Sequence, residues 1–299
     1  MNVSFPKSRA AAGLALLLLA FPFFSCSRAP SEASAGKALK IASMAPSSTS
    51  ILAGLGLASS IVAIDTWSTL VPGISPSIPR FDMMKPDVEL LAETGSNLLL
   101  VSTMTQEGTS RDPFKPLSEA GIKVVYIPTS NSLQEIRNDV AHIAKLTGRE
   151  KEGEAMVSGM DAELKAIRAI VEKIPASKRR TAVFEIAPSP SIYSFGSGVY
   201  LNELLEAAGV ENVLANEKGW IAVSAETVVA SDPDVILTNV AFLPDPVAEI
   251  YARSGWSGMK AVKNRQVFYI DNETSSQPTP NVVKALRQIA EAVYPEYFK

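Results

Sequence analysis

Short runs of β-branched and aliphatic residues alternate along this chain with stretches whose apolar positions recur every three or four residues. That alternation predicts parallel sheets covered by helices, an α/β fold. Strands are expected over 39–42, 61–64, 98–102 and 124–127, and a second set over 182–186, 235–238 and 267–270. Between the sets, Val157, Met160, Leu164, Ile167, Val171 and Ile174 recur at alternating steps of three and four with no proline among them. One helix over 149–174 is predicted, about 39 Å long at about 1.5 Å per residue. It reads either as a long crossover helix or as a strut between two lobes. Pro175 and the basic cluster Lys178-Arg179-Arg180 close it.

A weak internal repeat favours two lobes. The segment from Glu89 to Ser102 aligns without gaps to that from Glu226 to Asn239, each a Glu, a helix and a buried strand. Ile41-Ala-Ser-Met-Ala-Pro46 likewise parallels Val183-Phe-Glu-Ile-Ala-Pro188. In open parallel sheets ligands sit at the carboxyl ends of strands, so these paired loops are expected to face each other across a cleft.

The amino terminus changes the compartment. Lys7 and Arg9 precede an uncharged apolar run over 10–24 that ends at Ser25-Cys26. It is shorter than the roughly 20 residues of a permanent span and reads as a signal peptide. Cys26, the only cysteine, resembles the lipidated cysteine of bacterial lipoproteins, although Phe23-Phe24-Ser25 departs from the usual lipobox preferences. The alternative is an ordinary secretory signal cut after Ala33-Ser34-Ala35, with Cys26 discarded. Removing 1–25 leaves 26 basic residues against 31 acidic ones, scattered without a basic block, which gives no footprint for nucleic acid. One His and one Cys in 299 residues exclude a His/Cys metal cluster, a CxxC pair and a Ser/His/Asp triad built with a second His. His142 falls off the apolar stripe Ile136, Val140 and Ile143 and reads as a solvated surface residue. Gly196-Ser-Gly198 lacks the third glycine of a dinucleotide loop and reads as the approach to a helix.

The segments Ile41 to Leu52, Glu89 to Ser102, Gly219-Trp-Ile-Ala-Val-Ser-Ala-Glu226 and Trp256 to Ile270 together resemble the periplasmic binding proteins that serve importers of ferric siderophores, haem and cobalamin. The likeness runs from about Leu39 to Phe298, and the motifs fall in the family's order. The resemblance implies two α/β lobes, each with a parallel-type sheet covered by helices, joined by one long bridging helix that limits hinge motion. The expected organisation is a signal peptide over 1–25, a lipid-anchored tether over 26–37, an N-terminal lobe over 38–148, a bridging helix over 149–175 and a C-terminal lobe over 176–299. It also implies an extracytoplasmic, monomeric, non-enzymatic receptor with no cofactor or metal site of its own. Such a receptor carries a metal chelate (ferric siderophore, haem or cobalamin) to an ABC permease and its ATPase. A sensor or a cofactor-handling protein on the same scaffold is the alternative.

By the same resemblance, Glu89 and Glu226 match the acidic residues with which each lobe engages the permease; the plainer reading is that each stabilises a helix N-terminus. Trp67 and Trp220 are expected as loop aromatics that offer flat apolar walls to a planar ligand, while Trp256 is expected in the core. Arg80 and Phe81 are placed in the loop before the Glu89 helix, with Arg80 suited to a chelate carboxylate or propionate. Met104, Tyr193, Phe195, Phe242 and Gln277 are further candidates in loops after strands.

Overall fold

The computed structural model describes residues 38–106 and 112–299; the signal peptide, Cys26 and the tether expected over 26–37 lie outside the described residues. The first half runs β1 (Ile41–Met44), α1 (Pro46–Gly54), β2 (Ile61–Asp65), β3 (Arg80–Phe81), α2 (Val88–Glu93), β4 (Leu98–Ser102), α3 (Lys115–Glu119), β5 (Lys123–Ile127), α4 (Leu133–Thr147) and α5 (Glu150–Val171). The second half begins with β6 (Arg180–Glu185), β7 (Ile192–Phe195), α6 (Tyr200–Ala207), β8 (Val210–Asn212), β9 (Trp220–Val223) and α7 (Ala225–Ser231). It ends with β10 (Val235–Thr238), α8 (Pro246–Ala252), α9 (Lys260–Lys263), β11 (Val267–Tyr269), α10 (Asn272–Ser276) and α11 (Val282–Val293).

Two parallel sheets result, in the orders β3-β2-β1-β4-β5 and β11-β10-β6-β8. In each, the first strand of the set lies inside the sheet; the chain builds outward on one side and then crosses to the other. The repeat seen in the sequence is therefore structural: β4 pairs with β1 as β10 pairs with β6. All seven expected strands form, with ends shifted by at most two residues. The two-stranded antiparallel sheet of β7 and β9 and the short strands β3 and β8 were not expected. They are too short to print a period, and β7 and β9 pair with each other rather than extend a main sheet.

Each sheet is buried on both faces, as helix-covered parallel strands require. Ile41, Leu98 and Leu100 face one core with Val140 and Ile143 of α4, while Ala42, Met44, Leu99 and Val101 face another with Phe114 and Leu91. In the second half, Ala182, Phe184 and Leu237 meet α5, α6 and α11, and Val183, Ile236 and Val267 meet Trp256 and Ile250. Trp256 is a core residue as expected, with the Arg253 guanidinium 4.4 Å above its ring.

The predicted long helix is α5, 22 residues and therefore about 33 Å. It serves both cores: Met156 and Val157 pack against the first, and Met160, Leu164, Ile167 and Val171 belong to the second. The strut does not act alone. Antiparallel α4 places Leu133 and Ile136 in the second core and Val140, Ile143 and Ala144 in the first. The Leu133 N–H donates to the Glu203 carboxylate of α6 at 2.9 Å, and Arg137 of α4 pairs with Asp161 of α5 at 2.5 Å. Gly148 at φ 68° turns the chain between the two helices, a backbone conformation in which glycine is at ease. His142 is exposed on the outer face of α4, as its spacing predicts.

Candidate functional site

Strand order reverses beside β1, so a crevice opens at the carboxyl ends of the central strands, where open α/β sheets bind ligands. Here β1 ends at Met44 and Pro46 opens α1 at its first position, a site that suits proline because no helical N–H is lost. The Thr49 hydroxyl reaches back to the Ser43 hydroxyl at 2.8 Å and ties the helix to its strand.

At the next carboxyl end, β2 finishes in Asp65, which is fully buried and accepts from the Trp67 N–H at 2.8 Å and the Ser68 hydroxyl at 2.5 Å. Burial pushes the Asp65 carboxyl up, and the hydrogen bonds from Ser68 and Trp67 oppose the shift. This carboxylate folds the loop so that the Trp67 indole stands 73% exposed, with Leu70 72% exposed beside it.

From the second sheet, β11 leads into α10, capped by the Asp271 carboxylate on the Thr274 N–H at 2.9 Å. Buried Asn239, after β10, donates to Ser275 and Ser276, and the Asn272 amide donates to the Asn239 carbonyl at 2.7 Å. Tyr200 fixes the same turn by donating its hydroxyl to the Ser275 carbonyl at 2.8 Å, and burial pushes its phenol well above the usual range.

These ends enclose a cleft of about 420 Å³. Pro46, Trp67, Leu70, Val71 and Pro72 make its apolar wall; Asn272, Thr274, Gln277 and Asn281 make its polar wall. Trp67 and Gln277, far apart in sequence, are thus brought together. The other wall residues were missed. The apolar Leu70-Val71-Pro72 so soon after Trp67 was the available signal, whereas nothing in the sequence marks Asn281 or Lys284, which lie at and beyond the start of α11.

The remaining candidates fall elsewhere. Arg80 and Phe81 form β3 rather than a loop, and they line a second groove with Lys85, Leu90 and Glu93 that shares no residue with the first. Phe81 is only 8% exposed, and Arg80 donates to the Pro76 carbonyl at 3.2 Å. Trp220 is not in a loop either: it opens β9, half-buried, with its ring 5.9 Å from Phe195 and 6.0 Å from Tyr200. Phe195 lies in β7 and is fully buried, so it supports Trp220 from beneath and offers no face of its own. Tyr193, also in β7, is exposed, as are Met104 after β4 and Phe242 after β10. None of these three lines the Trp67 cleft.

Glu89 and Glu226 are exposed in the first turns of α2 and α7. Asp87 caps α2 on the Leu90 N–H at 3.0 Å, and Ser224 caps α7 on the Thr227 N–H at 3.2 Å. The Ser224 hydroxyl and the residue's own backbone N–H hold the Glu226 carboxyl below its ordinary value. Close beneath β9, Gly196 passes the 216–219 turn so tightly that a Cβ would lie 2.2 Å from the Glu217 carbonyl oxygen, so the glycine serves packing. Val199 then occupies the N-cap position of α6 without a side-chain hydrogen bond, at the ordinary helix start expected there.

Comparison with known proteins gives a consistent answer. The family described as periplasmic binding protein matches residues 41–274. An ABC transporter substrate-binding lipoprotein of Bacillus subtilis, YvrC, is 29% identical over 260 residues, 87% of this chain and 81% of that protein. The molybdate-binding protein MolA of Haemophilus influenzae is 30% identical over 191 residues, 60% of this chain and 53% of its own. The crystal structure of a possible iron-binding, periplasmic solute-binding protein of Staphylococcus epidermidis superposes with a TM-score of 0.74 at 27% identity, covering 85% of this chain and 98% of that one. Other matches carry names for cobalamin, ferric citrate and haem.

Proposed function

Because the chain belongs to the periplasmic binding protein family, whose members here are substrate-binding proteins of ABC transporters, we propose that it is an extracytoplasmic receptor that captures a metal chelate between its lobes and hands it to a permease driven by an ATPase. The observation that carries this reading is the cleft at the carboxyl ends of both sheets, with Trp67 on one wall and Gln277 on the other. A half-open cleft with one aromatic wall and a few polar groups suits a flat ligand. Iron chelates and cobalamin remain the candidate cargo, in keeping with the relatives' names.

The finer assignments belong to the same proposal. The lobes run over 38–148 and 176–299 with the bridge over 149–175, and the receptor is monomeric and has no catalytic activity. Cys26 carries the lipid anchor, in keeping with the lipoprotein name of YvrC. No helix among the described residues is long and apolar enough to cross a membrane. Glu89 and Glu226 present one carboxylate per lobe to the permease, since each is exposed at the start of an equivalent helix. Trp220, Met104, Tyr193 and Phe242 stay as secondary contacts of a large ligand, and Arg80 and Phe81 as contacts in their own groove.

The test is to purify the protein from the extracytoplasmic fraction of its native host and identify the bound small molecule by absorption spectroscopy and mass spectrometry. A single metal chelate at one per chain is expected. A folded protein that arrives empty and binds no chelate in titrations overturns the reading.

A further inference from the structure

We propose that the Trp67 cleft selects charge-neutral, amide-edged metal chelates and discriminates against anionic ones. The inference rests on the receptor reading above and narrows its cargo. Of the residues that line the cleft, two are charged, Glu273 and Lys284, one of each sign. Arg80, the guanidinium that the sequence offered to a carboxylate or propionate, lines the other groove. An anion that enters a cleft of zero net charge loses hydration without meeting a surplus of cations, and that desolvation is the dominant cost of burying charge.

The polar wall is built for a different edge. Gln277 and Asn281 make no side-chain hydrogen bond with other described residues, so each amide keeps both a donor and an acceptor for the ligand. A ligand rimmed with primary or peptide amides meets such groups reciprocally; a carboxylate uses only their donors. Opposite stand Trp67, Leu70, Val71 and Pro72, which fit the apolar face of a flat or compact chelate. No His, Cys, Met or Tyr is among the lining residues, so these walls supply none of the usual axial ligands of haem iron. A metal held here arrives with its coordination shell already filled. Two sources share this chemistry, a corrinoid and a neutral ferric trihydroxamate peptide.

The experiment is calorimetric titration of the mature chain from residue 26 with cyanocobalamin, a neutral ferric trihydroxamate, hemin, a ferric tris-catecholate and molybdate. At least one of the first two should bind at least about tenfold more tightly than each of the last three, and which one binds separates the sources. Gln277→Ala should weaken that neutral ligand by roughly fivefold or more. Glu273→Gln, which leaves a net positive cleft, should tighten the anionic ligands several-fold relative to the neutral one. Preferential binding of hemin, the catecholate or molybdate overturns the selectivity while the receptor reading stands. If none of the five binds, the charge of the chelate that co-purifies decides in the same way, and the lack of any chelate overturns both.

Discussion

Trp67 earns its exposure from a neighbour. A 73% exposed indole costs solvation that a purely structural residue would avoid, and the buried Asp65 holds its loop in that posture. Trp67→Ala should leave thermal stability nearly unchanged and weaken the ligand by about 1 to 3 kcal/mol, roughly five- to 150-fold in Kd, through lost apolar contact. Calorimetry with the co-purified chelate checks it. Glu185 at the end of β6 tells the opposite story. Its buried carboxylate meets Arg253 bidentately at 2.6 and 2.8 Å, and burial pushes the Glu185 carboxyl up while Arg253 pulls it back. Glu249 also binds that guanidinium, and the two carboxylates keep the arginine charged despite its burial. Arg253→Met should therefore destabilise by about 3 to 5 kcal/mol, because the Glu185 charge is left buried and unpaired. Denaturant midpoints measure this, and Glu185→Gln combined with Arg253→Met should recover much of the loss. At this scale the sequence was legible where exposure followed from loop chemistry, as at Trp67, and silent where tertiary packing decided. Phe195 and Trp220 are both expected in loops, yet both lie in strands, one beneath the other.

Among the elements, the α4–α5 hairpin sets how the two sheets are held. Each helix has its apolar stripe divided between two cores, so a change in lobe angle must slide side chains out of one of them. The close approach depends on Gly153, where a Cβ would lie 2.6 Å from the Ala144 Cβ. Gly153→Val should force the helices apart and cost about 1 to 3 kcal/mol, with a matching fall in Tm. A variant as stable as the parent would show that the hairpin absorbs the strain elsewhere. The period of three and four gave away α5 because 22 residues print several turns of one stripe. The role of α4 did not show, since an apolar residue at Leu133 looks the same whichever core it enters. Buried strands such as β4 and β10 announced themselves as unbroken aliphatic runs. The four-residue strands β7 and β9 lacked both length and a clean alternation.

For the whole molecule, the twofold echo of β1 with β4 in β6 with β10 places α2 and α7 equivalently, each with an exposed Glu in its first turn. One carboxylate per lobe would register the receptor on its permease and act on encounter more than on the cleft. A lipid on Cys26, as proposed above, would work in the same direction by confining the receptor to the membrane surface. Cys26→Ser should move the protein into the soluble extracytoplasmic fraction, and a variant that stays membrane-bound with unchanged processing would refute the lipid anchor. The two parallel sheets and the long helix were visible in the sequence because parallel-sheet packing writes itself into local patterns, and the family was visible through the resemblance of its motifs. The identity of the cleft walls was not, because residues 46, 67–72 and 272–284 meet only in the folded chain. Delivery of a captured chelate is read from ATP hydrolysis by the cognate permease and ATPase reconstituted in liposomes with the ligand-loaded receptor. The wild-type loaded receptor should stimulate the rate several-fold, and Glu89→Ala combined with Glu226→Ala should abolish the stimulation while calorimetry shows unchanged ligand affinity. A wild-type loaded receptor that leaves the rate at its basal level would rule out delivery to this permease.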